Sequence, residues 1–308
     1  MLTVVVAGGS GFLGSHVCDR FAQIGWRVVS VGRGHSNPYA SAHYNMQLPD
    51  RSFAKLIEDI NPSLCVNCAG RASVSASMED PLGDFYANTV LVIEILDAIR
   101  RFAANCIFIN LSSASVYGNP IVLPIEENTE IKPVSSYGYH KYMEELVIQE
   151  YATLHQIKSA TLRIFSAYGE RLHRQVIWDL TAKILAANGN LVKVFGTGEE
   201  SRDFIHGEDV AHAIEIVSSK GELKGEVYNL ASGEEITIKQ LATKINDASN
   251  QNAELCFDGS PPLGYALRWC GDISKIQQLG FVRSISLDEG LKRVIYAAQS
   301  KNNTIELG

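Results

Sequence analysis

Apolar positions along the chain follow two rhythms. Leu2-Thr3-Val4-Val5-Val6-Ala7 is a continuous, largely β-branched run, the pattern of a strand buried on both faces of a parallel sheet. Ser15 to Ile24 then reads as a helix, and the alternation repeats. Arg27 to Val31 is a strand, Ser52 to Ile60 a helix, Leu64 to Cys68 a strand, Leu82 to about Phe102 a long helix, and Cys106 to Leu111 a strand. Such alternation predicts an α/β fold with a doubly wound parallel sheet. A further helix is predicted from Tyr137 to about His155, from the spacing of Tyr142, Leu146, Tyr151 and Leu154. Ligands of such sheets lie beyond the carboxyl ends of the strands, so Ala69-Gly70 and Ser112-Ser113, each following a strand, are expected on the ligand side.

Composition narrows the picture by exclusion. With 308 residues, 46% hydrophobic and 20% charged, the chain has material for one large or two coupled domains. A net charge of −7 offers no general attraction to nucleic acid or to an anionic membrane. Any anionic ligand must be held by local basic groups. No apolar run approaches the roughly 18 residues of a membrane span, and the first residues enter a strand without a basic leader, so a cytoplasmic protein is expected. Of the six cysteines, Cys65 and Cys68 have a metal-like spacing, but no second pair follows and both fall in a buried strand. They are read as core thiols, and no metal site is expected.

The chemistry gathers at three places. Gly8-Gly9-Ser10-Gly11-Phe12-Leu13-Gly14 lies between the first strand and its helix. Glycines spaced by three let the backbone turn tightly, approach a diphosphate and pack the helix on the sheet, while the helix start favours anionic oxygens. The second strand ends in Gly32-Arg33-Gly34, where a dinucleotide site often carries an acidic residue for the ribose hydroxyls. Gly32 removes that carboxylate, and the fork of Arg33 suits a 2′-phosphate, which favours NADP over NAD. Finally, Tyr137 and Lys141 stand one helical turn apart. A nearby ammonium favours the phenolate, and bringing a tyrosine from near 10 to near 7 takes roughly 4 kcal/mol of differential stabilisation. Such a pair occurs by chance on many helices, so its meaning depends on the other two places.

Taken together, Gly8-x-x-Gly11-x-x-Gly14, the Ser113 segment ending Val116-Tyr117-Gly118, and Tyr137-x-x-x-Lys141 resemble the extended short-chain dehydrogenase/reductase family. More narrowly, the chain resembles its nucleotide-sugar epimerase/dehydratase/reductase branch. Leu162 to Gly169 is similar to that branch's Leu-Arg-x-Phe-Asn-x-Tyr-Gly segment. Val194 to Gly198, Ser201 to His206 and Glu208-Asp209-Val210 are similar to its diphosphate-sugar region, and the likeness continues through Tyr228 to Gly233 and Asp272 to Lys275.

The resemblance implies a Rossmann-type sheet with a smaller α/β substrate domain, and it implies roles. Tyr137 is the expected acid/base at the sugar oxygen, Lys141 the group that binds the nicotinamide ribose and acidifies the tyrosine, and Ser113 the bridge to the reacting oxygen. The expected cofactor contacts are Gly8, Ser10, Gly11, Phe12, Leu13, Gly14, Arg33, Gln47, Leu48, Cys68, Ala69, Gly70, Asn88, Leu111 and Phe165, with Tyr137 and Lys141. The expected substrate contacts are Ser113, Ser115, Ser166, Phe195, Arg202 and Arg268, with Phe195 by the nucleotide base and the arginines on the diphosphate. Departures are informative. Ala114 and Ser115 supply no carboxylate, which disfavours a 4,6-dehydratase or a decarboxylase. Ser166 replaces the usual Asn, and Gln47 stands about where an Asp often meets the adenine amine.

Two reactions survive: NADPH-dependent reduction of a 4-keto-6-deoxy nucleotide sugar, and 4-epimerisation of a nucleotide sugar with retained NAD. The same three residues serve both. Gly32-Arg33 favours the reductase, because a reductase consumes its cofactor and draws on a reducing pool. A non-catalytic dinucleotide-binding protein is the distant alternative, which the presence of Ser113, Tyr137 and Lys141 opposes. Residues 1–169 are expected to form the dinucleotide domain, with a strand near 227–230 returning to it, and 170–308 mainly the nucleotide-sugar domain. The family often pairs the helices near 82–102 and 137–155 across a homodimer.

Overall fold

In the computed structural model, which describes residues 1–187, 189–260 and 267–305, the first six strands are β1 (Thr3–Ala7), β2 (Arg27–Gly32), β3 (Ala42–Asn45), β4 (Leu64–Asn67), β5 (Ile107–Ser113) and β6 (Ser159–Ile164). The short strands β7 (Ser166–Tyr168), β8 (Leu191–Val194), β9 (Ser201–Arg202) and β10 (Phe204–His206) precede β11 (Lys224–Leu230). Seven of these strands form one sheet in the order β11-β6-β5-β4-β1-β2-β3, and every pair in it is parallel. Strand order reverses at β1, so a crevice opens beyond its carboxyl end, between the Gly8 turn and the end of β4. The edge strand β3, Ala-His-Tyr-Asn, is half exposed and carries no apolar run, which is why pattern alone does not announce it.

Pleating divides the sheet's side chains between two cores. Val4 and Val6 point to one face, where α1 (Phe12–Gln23) and a later helix, Gly207–Lys220, pack through Val17, Phe21, Val210 and Ile214. Val5 and Ala7 point to the other. That face is covered by α2 (Ser52–Ile60), then, after the short α3 (Val74–Glu79) and α4 (Pro81–Phe85), by α5 (Leu91–Phe102) and α6 (Ser136–His155). The predicted long helix from Leu82 to Phe102 is interrupted. A π turn, Tyr86–Val90, lies between α4 and α5, a distortion frequent at functional sites. The first helix starts at Phe12 rather than Ser15, directly on the glycine turn.

After β7 the chain builds a second, smaller core. α7 (Gln175–Ala187), α8 (Gly207–Lys220) and α9 (Ile238–Ser249) are followed by α10 (Ser274–Gln278) and α11 (Leu287–Ile305). Ile184, Leu241, Ile245 and Leu291 of α7, α9 and α11 close on β8, which pairs with β13 (Glu254–Phe257). β12 (Ile236–Thr237) pairs with β9. Between these elements the chain returns to the large sheet as β11, which lies beside β6.

Candidate functional site

The glycine turn is built by close approach. Gly8 has φ +78°, donates its N–H to the Val31 carbonyl at 2.7 Å, and accepts from Gly11 at 2.9 Å. A Cβ at Gly8 would stand 2.7 Å from the backbone of Cys68 and Ala69, and one at Gly14 would stand 2.1 Å from the Gly8 oxygen. Only glycine fits at either place. A cleft of about 440 Å³ opens here, lined by Ser10, Gly11, Phe12, His35, Ser36 and Arg171 among others. Asn88, in the π turn, accepts from the Arg71 N–H at 3.1 Å, while its own buried amide nitrogen has no partner. A cradle that a side chain would fill and a buried unpartnered donor both fit a bound dinucleotide.

Other expected cofactor residues are less uniform. Cys68 and Ala69 are half-buried and Gly70 exposed at the end of β4, while Leu48 is half-buried and Gln47 exposed. Leu13 packs against the core beneath the glycine turn. Phe165 and the Leu111 side chain are buried. The Ser10 hydroxyl donates to the Arg33 carbonyl at 2.6 Å, tying the Arg33 loop to the turn. The exposed Arg33 side chain has no hydrogen bond or ion pair among the described residues. No carboxylate stands at Gly32.

The reactive end is assembled by α6. Ser135 caps the helix, accepting from Gly138 N–H at 3.2 Å, and the Ser77 hydroxyl takes the Tyr137 N–H at 3.0 Å. A Cβ at Gly138 would stand 2.7 Å from the Ser115 oxygen. The missing side chain lets α6 press against the turn Ala114–Tyr117 that follows β5, and this brings Ser113 to Tyr137. The Ser113 hydroxyl is near enough to act on the phenol, and the Lys141 ammonium lies 6.0 Å from the Tyr137 ring centre. Burial raises the Tyr137 pKa; Lys141 and Ser113 pull it down, and Glu144 and Asp84 push it up.

Lys141 is itself buried. Its ammonium donates to the Leu111 carbonyl at 3.0 Å and to Glu144 at 3.1 Å. Burial lowers its pKa, but Glu144 and Tyr137 outweigh burial and the net direction is upward, so the ammonium form is held. The Glu144 carboxylate also accepts from Asn110 at 2.8 Å, and Asn110 accepts from Asn67 at 2.9 Å. Sequence reading did not single out Glu144, Asn110 or Asn67. Two signals were present: a carboxylate three residues beyond Lys141, and asparagines closing otherwise apolar strands.

On the sugar side the expected residues lie in different surroundings. The Ser115 hydroxyl is buried without a partner. Half-buried Ser166 starts β7, and its N–H donates to the Asp203 carbonyl at 2.9 Å. The Arg202 guanidinium lies 5.2 Å from the Trp269 ring centre. Arg268 already gives both arms of its fork to Glu235, at 2.8 Å each, so a phosphate would have to displace that carboxylate. Phe195 is 77% exposed, with the Lys183 ammonium 4.8 Å from its ring centre. Asp203, unforeseen, organises this side by accepting from the N–H groups of Ser232, Gly233 and Gly271.

Comparison with known proteins follows the same outline. A profile of the NAD dependent epimerase/dehydratase family matches residues 4–231. A putative UDP-glucose 4-epimerase of Methanocaldococcus jannaschii is 31% identical, covering 98% of this chain and 100% of that one. The UDP-glucose 4-epimerase of Mycolicibacterium smegmatis is 26% identical with the same coverage. The crystal structure of a UDP-glucose 4-epimerase from Thermotoga maritima, with UDP-glucose, superposes with a TM-score of 0.90 at 27% identity, over 98% of this chain and 100% of that one.

Proposed function

The chain belongs to the NAD dependent epimerase/dehydratase family, and we propose that it is a UDP-hexose 4-epimerase with a retained NAD(P). The observation that carries this reading is the Ser113, Tyr137 and Lys141 cluster in a chain that matches UDP-glucose 4-epimerases over nearly its whole length. The reductase expectation rested on Gly32 and Arg33 alone. Those residues bear on which dinucleotide binds, and an epimerase has no net redox change that would tie it to either. The relatives therefore favour the 4-epimerase, the second of the two reactions weighed from sequence.

In this reading Tyr137, as phenolate, takes the proton from the sugar C4 hydroxyl, and Ser113 hydrogen-bonds the same oxygen as it becomes a carbonyl. A bound dinucleotide would accept the hydride from C4 and give it back to the opposite face. Lys141 holds positive charge beside the phenol throughout. Arg202 neutralises the diphosphate, which remains anchored while the hexose turns over to present its other face. Tyr137 then returns the proton. Ala114 and Ser115 place no carboxylate by the sugar, so water elimination has no base.

The test is direct. Purified protein incubated with UDP-glucose, without added cofactor, is expected to form UDP-galactose, read by chromatography. Unchanged UDP-glucose, together with stoichiometric NADPH loss on a 4-keto-6-deoxy nucleotide sugar, would establish the reductase instead. Two finer proposals accompany this one. NADP is expected to bind through Arg33, so Arg33→Ala should weaken NADP about tenfold while leaving NAD unchanged; equal effects on both would remove the 2′-phosphate role. Leu82, Tyr86, Tyr139, Met143 and Leu146 leave apolar surface on α4, the π turn and α6, which a second copy of the chain would cover as a homodimer. A monomer mass by sedimentation at micromolar concentration would refute that. Among the described residues no helix is long and apolar enough to cross a membrane.

A further inference from the structure

Among the described residues Glu144 is the one carboxylate in contact with the reactive lysine, and the proposed reaction does not use it. It is fully buried. Both of its oxygens lie 3.1 Å from the Lys141 ammonium, and Oε2 has hydrogen-bond geometry. Asn110 and, behind it, Asn67 form a chain of donors that supports the carboxylate from β5 and β4. A buried charge is retained only when paired and hydrogen-bonded; this one is paired through both oxygens and hydrogen-bonded through Oε2, while Oε1 has no hydrogen-bond partner among the described residues.

We propose that Glu144 is a positioning residue for Lys141, a buried counter-charge that holds the ammonium against β5 and limits how strongly it acts on Tyr137. The inference rests on the epimerase reading of Tyr137 as the group that must first lose a proton. Lys141 favours the phenolate with one positive charge, and Glu144 offsets that charge one turn further along the same helix. The other groups facing this cluster are accounted for. Asp84 of α4 is bonded to His140 at 2.6 Å. Glu145 is bonded to Arg163 of β6 at 2.7 Å. The Cys68 thiol, after β4, is pushed well up by burial and stays neutral. Glu144 is thus the carboxylate nearest Lys141; burial pushes its own pKa up while Lys141 and Asn110 pull it down, and its effect on Tyr137 is in the same upward direction as that of burial.

The consequence concerns the first step: Tyr137 must lose its own proton before it can take one from the sugar, and the Glu144 carboxylate opposes that loss. Turnover is accordingly expected to rise towards alkaline pH, with Glu144 fixing where the rise occurs.

The test titrates Tyr137 directly. NAD-loaded protein carrying tyrosine labelled with carbon-13 at the ring ζ position is followed by NMR from pH 6 upward, the Tyr137 signal being the one absent in Tyr137→Phe. In Glu144→Gln, which keeps an acceptor for Asn110, the midpoint is expected to fall by about one pH unit, a tenfold change in the proton equilibrium. Glu144→Asp is expected to restore most of the difference. Asn110→Ala, which removes the support of the carboxylate, moves the midpoint the same way by less, and carries the test if Glu144→Gln does not fold. An unmoved midpoint in a folded variant overturns the proposal and leaves Glu144 a structural ion-pair partner. Because the titration needs no sugar turnover, a moved midpoint without UDP-glucose conversion would reject the epimerase reading alone. Conversion with an unmoved midpoint would reject this one alone.

Discussion

Helices α5 and α6 lie side by side on one face of the sheet and bury opposite kinds of residue. α5 turns Leu91, Val92, Ile95, Leu96, Ala98 and Ile99 inward. α6 turns in Gly138, His140, Lys141, Glu144, Glu145 and Ile148, while Leu146 and Leu154 are 47% and 69% exposed. On α5 the inner face lowers free energy by removing hydrocarbon from water. On α6 each buried ionisable side chain has a partner: His140 has Asp84, Lys141 has Glu144, and Glu145 has Arg163. Buried pairs of this kind are weak evidence for stability. Their presence where an apolar helix face would serve the fold fits the proposed role of α6 as the functional element and α5 as the supporting one.

Substitutions on the two helices should therefore fail in different ways. Tyr137→Phe removes the proton-transfer group and is expected to lower turnover about a thousandfold, with little change in thermal unfolding. Turnover within about tenfold of the parent would end the catalytic assignment. Leu96→Ala is expected to cost about 3 kcal/mol of stability in chemical denaturation, with turnover per folded molecule unchanged. If Leu96→Ala lowered turnover as Tyr137→Phe does, the division between the helices would be false.

A third helix tests the contrast more finely. His16 of α1 is buried, and its Nε2 has no partner. Burial and then Arg171 lower its pKa from 6.5 to about 4. The folded state thus keeps the imidazole neutral, while the unfolded chain takes up a proton below about 6.5. The stability present above that pH is lost as pH falls from about 6.5 to about 4, by about 2–3 kcal/mol. Denaturation at pH 7 and pH 5 should show the loss in the parent and a smaller one in His16→Gln. Equal losses would mean that His16 is not the group responsible.

How much of this was legible depended on what each residue does. Val4, Val5 and Val6 are buried on both faces, so β1 announces itself as a continuous apolar run. Ala42 to Asn45 serves only an edge, and β3 does not. The glycine turn was readable because Gly8 and Gly14 each admit no side chain, a local constraint written in residue type. α6 was found partly through Leu146 and Leu154, yet these residues face outward, and the inward face is polar. Periodicity located the helix without fixing its orientation, because hydrophobic spacing cannot distinguish a core face from an exposed one. Glu144 went unread for the same reason: a carboxylate on a helix reads as solvated until the fold closes over it. The ion pair of Arg268 with Glu235 joins residues 33 apart in sequence, and no local pattern encodes it.

The central proposal is that Tyr137 on α6 takes the proton from the sugar C4 hydroxyl while a bound dinucleotide would accept the C4 hydride and return it to the other face. UDP-glucose carrying deuterium at C4 tests it directly, by mass spectrometry and NMR of the sugars after incubation without added cofactor. The account predicts UDP-galactose with the deuterium still at C4. Label lost from the sugar, or transferred to cofactor in proportion to product, would contradict it.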